Sequence, residues 1–230
     1  MNATSQTNTG VSIITCTKRA SYINHLFNNY HRQRWPNKEL IIILNKDSIA
    51  IDPYRETAKK YRNVSIYRLP ENVTLGECLN FGVKRSRYGY IAKFDDDDFY
   101  SPFYLTDYMQ ISKTTYADII GKRTHYVWLQ GPRVLILRQV RSPSLLPGAT
   151  LFIKKQVFNK VRFPNRNVGE DDQFCRDCKA KGFKLVSAGK HHFVAVRRKH
   201  SQNHTWIISD KELLSSNHTK IVARIKGDNG

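Results

Sequence analysis

No apolar run in this chain approaches the roughly 20 residues that a helix needs to cross a bilayer. Residues 1–10 have neither a basic start nor an apolar stretch, so no secretory leader is expected. Acids are scarce, 19 against 38 lysines and arginines, for a formal charge of +19. That excess predicts anionic partners: nucleic acid, phosphate-rich substrates or an anionic membrane surface. The basic residues are scattered, apart from Arg197-Arg198-Lys199, and no zinc-finger spacing or aromatic RNA-binding signature accompanies them. Specific nucleic-acid recognition is therefore not expected. Cysteines number four, Cys16, Cys78, Cys175 and Cys178. One C-x-x-C inside a predicted helix is too little for zinc, which wants four ligands. Reduced, buried thiols are expected, in keeping with a cytoplasmic chain, peripheral to the inner face of the membrane if its basic surface attaches there. Glycine is missing from Thr15-Cys16-Thr17-Lys18-Arg19, which argues against a glycine-rich phosphate loop after the first strand.

Hydrophobic residues make up 40% of the 230, enough for a sizeable core. No repeat or interdomain linker is evident, so one domain is expected. Its parts would be a flexible tail over 1–10, a first half over 11–100, a second over 101–206, and a C-terminal helix and tail over 207–230. Continuous apolar runs at 11–15 and 39–44 read as strands buried on both faces, the mark of a parallel sheet. Helical spacing at 20–30, 52–61 and 75–87, with further strands at 64–69 and 90–94, completes a β-α-β-α-β-α-β order. That order predicts a doubly wound α/β fold, with ligands outside the carboxyl ends of the strands. Thr17, Asp47 and the acids after residue 94 would converge there. Beyond, the pattern predicts a helix at 102–113 and a hairpin of strands 116–129 and 133–140. It also predicts strands near 149–153, 184–186 and 193–196, and helices at 154–160 and 170–181. A final helix, capped by Ser209 and Glu212, is expected to reach about residue 225. Both halves are expected to share one continuous sheet.

Asp95, Asp96, Asp97 and Asp98 stand between Tyr90-Ile91-Ala92-Lys93-Phe94 and Phe99-Tyr100. Four adjacent carboxylates repel one another, so the run calls for a positive partner. Hard cations such as Mg2+ take oxygen ligands, often one or two carboxylates plus the phosphates of a bound substrate. The run thus predicts a metal site at a strand end and a phosphorylated ligand. Acidic runs also form solvated loops and helix starts, and Ser101 before Pro102 fits a helix start. A second acidic group, Gly169-Glu170-Asp171-Asp172-Gln173-Phe174, opens a predicted helix, where acids also complement the helix dipole.

These two motifs, in this order and with Gly148-Ala149-Thr150-Leu151-Phe152 shortly before the second, resemble those of GT-A glycosyltransferases, most closely the inverting family 2. The resemblance covers about residues 11–206 and implies a Rossmann-like GT-A fold. That is a mostly parallel central sheet flanked by helices, with a smaller C-terminal mixed β/α part for the acceptor. It implies transfer of a sugar from a nucleotide-diphospho-sugar, by default a UDP-sugar, to an acceptor hydroxyl with inversion. The acceptor would be a glycan, polymer or lipid-linked molecule, and Mg2+ or Mn2+ the cofactor. The chemistry agrees: a departing diphosphate needs charge neutralisation, and an acceptor hydroxyl needs a carboxylate to take its proton.

By the resemblance, Asp97 is the main metal ligand and Asp95 meets the metal or the ribose. Asp96 is a further ribose contact, and Asp98 a cap for the next helix. Asp171, whose charge Glu170 and Asp172 would repel, is the candidate general base. Thr17 and Arg19 end the first strand of the nucleotide pocket. Asn45 could pair with a base edge, beside Asp47, although Lys46 stands where the family has an acid. Asn80 falls where the family places an asparagine. Residues 197–206 are expected on the diphosphate or metal: His200 as third ligand with His204 its rival, and Arg197 or Arg198 as a phosphate clamp. Trp128 and Trp206 are candidate sugar-stacking faces. The alternatives are a nucleotidyltransferase, which shares the doubly wound half, and a non-catalytic module for polyanions.

Overall fold

Residues 9–142, 145–199 and 208–225 are described by the computed structural model. Strands β1 (Val11–Thr17) and β2 (Lys38–Leu44) are almost wholly buried. Their side chains alternate between two cores. Val11, Ile13, Leu40, Ile42 and Leu44 face one; Ile14, Ile41 and Ile43 face the other. Burying each such aliphatic side chain contributes about 1.5–3 kcal/mol, so β1 and β2 anchor the sheet from both sides. β3 (Val64–Arg68) joins β2, and β4 (Tyr90–Lys93) joins the other edge of β1; all these pairings are parallel. Helices α1 (Ile23–Arg32), α2 (Asp52–Ala58) and α3 (Leu75–Arg85) make the crossovers. Thr74 and Glu77 form a reciprocal cap at the start of α3, satisfying two backbone donors that a helix start leaves orphaned.

The chain then leaves the sheet. β5 (Phe99–Tyr100) is followed by α4 (Tyr104–Thr115), and β6 (Ile119–Gly121) returns to the main sheet. β7 (Thr124–Leu129) and β8 (Val134–Gln139) form a hairpin, but the strand expected over 116–129 is broken, its first part being β6 of the main sheet. β9 (Phe152–Lys154) inserts antiparallel between β4 and β6. After α5 (Glu170–Ala180) come β10 (Leu185–Ser187), β11 (Phe193–Arg197), α6 (Asp210–Ser215) and β12 (Thr219–Arg224). Gly182, at φ +80°, ends α5 as expected. All four cysteines are free, and Cys78, Cys175 and Cys178 are buried.

The result corrects two expectations. Among the described residues there are two sheets, a seven-stranded β10-β6-β9-β4-β1-β2-β3 and a five-stranded β12-β8-β7-β11-β5. The reason lies in the patterning. β7 alternates buried and half-buried residues, so it packs one face only and suits a separate smaller sheet. The last helix is also short. Ser209 and Glu212 do form the capping box, but the helix closes at Ser215. Asn217-His218 then turns the chain, and the β-branched Thr219 and Ile221 pair as β12 with β8, whose register shifts between Ile221 and Ala223.

Order β4-β1-β2 places a reversal of winding between β1 and β4, where α/β sheets bind ligands. One carboxylate fastens the second sheet to that point. The Asp98 carbonyl accepts from His25 Nε2 at 2.7 Å and Asn29 Nδ2 at 2.8 Å, both on α1. Its side chain accepts the Val196 N–H of β11 at 2.8 Å. Asp98 is therefore not a cap for α4, whose start at Phe103 has no side-chain cap. Burial pushes its carboxyl well above the ordinary range. Asp98→Asn keeps an acceptor for Val196 without a buried charge, so its stability to chemical denaturation should equal or exceed wild type. Asp98→Ala leaves that N–H unpaired and should lose about 1–3 kcal/mol.

Candidate active site

The turn after β4 sorts its four acids by alternation. Side-chain exposure is 39% for Asp95 and 12% for Asp97 but only 4% for Asp96, and Asp98 is buried. Asp95 and Asp97 thus present hard oxygens to the crevice, and Asp96 and Asp98 fix the turn. Tyr100 holds its backbone. The phenol accepts the Asp95 N–H at 2.8 Å and donates to the Ala149 carbonyl at 2.7 Å. Its ring stacks on Phe94 at 3.7 Å between centroids.

Asp96 anchors the end of β1. It accepts from Thr17 Oγ1 and from Arg19 through both Nε, at 3.1 Å, and Nη2. Arg19 Nη1 also reaches Asp97 Oδ2 at 2.8 Å. Burial opposes the Arg19 charge, but Asp96 and Asp97 outweigh it and raise its pKa further. The guanidinium lies 4.6 Å over the Tyr22 ring. Arg198 comes from beyond β11 to 3.8 Å from Asp97 Oδ2 and 5.8 Å from the same ring. Two guanidiniums therefore flank Asp97.

Lys93, the last residue of β4, lies beneath the turn. Its ammonium is 7% exposed and 2.5 Å from Asp95 Oδ1. Burial opposes its charge; Asp95, Glu170 and Asp171 more than offset that and raise its pKa. The sequence-level premise that the acids demand an external cation is thus corrected in part, because Arg19 and Lys93 already pair with three of the four.

The second acidic motif also divides. Gly169, at φ +72°, turns the chain into α5. Asp172 pairs with Arg176 one turn on. Asp171 accepts the Asp172 N–H at 2.8 Å through Oδ1 and the Gly148 N–H at 2.7 Å through Oδ2. Glu170 is buried. A side chain on Gly148 would crowd both sides of the junction: its Cβ would stand 3.1 Å from Asp171 Oδ2 and 3.2 Å from Lys93 Nζ. The Gly148-Ala149-Thr150 turn is therefore where the two motifs meet.

The remaining candidates divide into those brought to this crevice and those used elsewhere. Asn45 ends beside Thr17, its N–H on the Thr17 carbonyl, but its amide donates to the Pro70 carbonyl at 2.7 Å. Asp47 is exposed in the loop after β2, its N–H directed to Glu71. Asn80 clamps both backbone groups of Phe163, at 2.8 and 3.1 Å. That fixes a loop against α3 and corrects its place in the nucleotide pocket. Arg197 is buried against Asp210 and the Ile208 carbonyl, so it ties β11 to α6 instead of clamping phosphate. Trp128 lies half-buried on β7. His200, His204 and Trp206 fall outside the described residues. Among the described residues no three His, Cys, Asp or Glu side chains converge as a metal cage. Asp95 and Asp97 nonetheless fit Mg2+ or Mn2+, which take few protein carboxylates and complete their shell with water and substrate phosphates.

Sequence reasoning missed Lys93, Tyr100 and the role of Glu170. Lys93 had a signal: a lysine inside a buried strand, adjoining acids. Burial pushes the Glu170 carboxyl up to about 7, against the pull of Lys93. The folded chain then holds a proton that the unfolded chain gives up near the ordinary carboxylate range. Stability should fall as pH rises from that range to about 7, by a cost on the order of 3 kcal/mol. Thermal unfolding of Glu170→Gln should show a flatter profile between about pH 5 and 8, with the variant more stable at the alkaline end. A profile parallel to wild type would contradict the buried acid.

A profile described as Glycosyl transferase family 2 matches residues 12–164. No curated protein matches the chain. Among solved structures, S. aureus TarS 1–349 superposes with a TM-score of 0.63 at 16% identity, over 81% of this chain and 60% of that one. Its complex with UDP-GlcNAc gives 0.63 and 17%, over 82% and 59%. Mannosyltransferase PcManGT from Pyrobaculum calidifontis, with GDP-Man and Mn2+, gives 0.61 and 14%, over 84% and 58%. At such identities these likenesses show the fold, the GT-A arrangement of a largely parallel sheet flanked by helices. The chain spans about 60% of the length of the TarS fragment. The profile takes in the whole β1–β4 unit, the four acids and the Gly148 turn, and on that match the chain belongs to glycosyltransferase family 2.

Proposed function

We propose that the protein transfers a sugar from a nucleotide diphosphate, by default a UDP-sugar, to an acceptor hydroxyl by a single displacement with inversion. The observation that carries this reading is the meeting of both acidic motifs at Gly148, which puts Asp171 across the crevice floor from Asp95. The TarS complexes with UDP-GlcNAc and UDP, and the PcManGT complex with GDP-Man and Mn2+, support a nucleotide-sugar donor and a divalent cation.

Each residue then has a task set by its chemistry. Asp95 and Asp97 would hold Mg2+ or Mn2+, which supplies positive charge for the departing diphosphate. Arg19 and Arg198 add guanidinium donors beside Asp97, suited to phosphate oxygens. Thr17 keeps Asp96 and Arg19 in register. Asn45 holds Pro70, so Asp47 and Arg19 remain the polar contacts we assign to the nucleotide at that end. Asp171 takes the acceptor proton as the hydroxyl attacks the anomeric carbon and the bond to the diphosphate breaks. The Gly148 N–H keeps its carboxylate turned into the crevice. Acceptors come over the second sheet, and the +19 charge favours an anionic glycan, polymer or lipid-linked molecule, with the chain held near an anionic membrane face.

Asp171→Asn should lower kcat by about 10²–10⁴-fold, the usual contribution of a general base, while UDP affinity stays within about twofold. Intact turnover would remove the base assignment. Calorimetric titration of UDP into wild type should show binding at least about tenfold tighter with Mn2+ than with EDTA, since a cation held by Asp95 and Asp97 would supply positive charge for the diphosphate. Equal affinities would end the metal role.

A further inference from the structure

Lys93 ends a buried strand, where an unpaired ammonium would be costly, yet none of the tasks above uses it. Three observations locate its role. Its Nζ is 2.5 Å from Asp95 Oδ1, on the donor side. Asp171 and Glu170 of α5, on the acceptor side, lie within electrostatic reach of it. It also shares with Asp171 Oδ2 the space that a Cβ on Gly148 would fill, at 3.2 and 3.1 Å. One ammonium thus spans carboxylates that lie more than 70 residues apart in sequence. Its stem is locked in β4, which pairs with β1 and β9.

We propose that Lys93 is a positioning residue that couples the donor carboxylate Asp95 to the acceptor base Asp171. This rests on the function proposed above. Without the ammonium, Asp95 and Asp171 would be like charges around one small volume and would move apart. The Asp171 carboxylate would then lose its aim at the acceptor hydroxyl. A misplacement of about 1 Å at a reacting group can cost about 10²-fold in rate. Lys93 also competes with a divalent cation for Asp95 Oδ1, because both are positive and both need that oxygen. Removing it should weaken transfer and strengthen cation binding together. A side chain that only fills space would do neither.

Lys93→Met, Lys93→Gln and Lys93→Arg are compared with wild type and Asp171→Asn. Two readouts are taken: steady-state transfer, and calorimetric Mn2+ binding to the free protein. The expected result for Lys93→Met is a kcat about 10²-fold lower, with donor KM moved less than about threefold, the pattern of lost transition-state alignment. Mn2+ should bind at least about threefold tighter, as expected when a like charge leaves. Lys93→Arg should recover part of kcat. Wild-type kcat in Lys93→Met overturns the proposal. So does a loss of donor affinity that matches the loss of kcat with Mn2+ affinity unchanged, which would make Lys93 a donor contact. If Lys93→Met does not fold, Lys93→Arg is set against Lys93→Gln, and equal kcat in those two overturns it. The Mn2+ measurement needs no turnover. Inactive wild type with tighter Mn2+ binding in the variant would therefore sink the transferase reading and leave the Lys93–Asp95 link standing.

Discussion

Charge balance within one turn governs the rest of the molecule. Four consecutive carboxylates can follow a buried strand only if their charges are separated and countered. Extended alternation separates them, turning Asp96 and Asp98 inward and Asp95 and Asp97 outward. Arg19 and Lys93 counter them. Neither arrangement comes cheaply, because a buried ion pair loses hydration that its attraction only partly restores. The Asp96–Arg19 pair is best understood as a register device. It ties β1 to the turn after β4 through Thr17 and Arg19, two residues at the end of one strand. Asp98 ties the same turn to α1 and to the second sheet. Stability comes instead from the two apolar cores on either face of the sheet.

The topology explains why motifs so distant in sequence meet. β4 lies beside β1, with β2 on the far side, so the crevice opens where the winding reverses. β9 returns antiparallel next to β4. The turn leading into β9 therefore passes directly by the acids, and Tyr100 joins the two by accepting the Asp95 N–H and donating to the Ala149 carbonyl. Gly148 lies in that turn, and its lack of a side chain lets Lys93 and Asp171 approach from opposite sides. A two-residue strand, one tyrosine and one glycine thus convert linear order into a site.

What could be read in advance follows from the range of the forces involved. β1 and β2 were legible because continuous apolar runs report burial on both faces. The Ser209–Glu212 capping box was legible because it is local, its partners three residues apart. Asp95 and Asp97 were singled out by the family resemblance, and the structure leaves both more exposed than Asp96. Long-range partners were not legible. Asn45, Asn80 and Arg197 each have donors that suit phosphate or base, and each is spent on a distant loop or helix. The split into two sheets was missed because the one-sided alternation of β7 does not by itself say which strands it will pair with. The helix expected through residue 225 was missed because the β-branched run after Asn217 outweighs a good N-terminal cap. Lys93 was overlooked because its value lies in Glu170 and Asp171, which only the fold brings near.

The charge of the surface and that of the crevice pull in opposite directions, and that opposition defines what the site needs. The chain is +19 overall, so an anionic donor is drawn in from about a Debye length, near 8 Å at physiological salt. At contact it meets a row of carboxylates. Two like charges 4 Å apart near a protein surface repel by about 4 kcal/mol, so the general attraction cannot complete binding. Local positive charge must. Arg19 and Arg198 supply part of it beside Asp97, where they face the solvent side of the turn. Lys93 lies too deep and is held by its own acids. The deficit therefore falls at Asp95 and Asp97, the two outward carboxylates. On the proposed function, a divalent cation held by Asp95 and Asp97 would meet it.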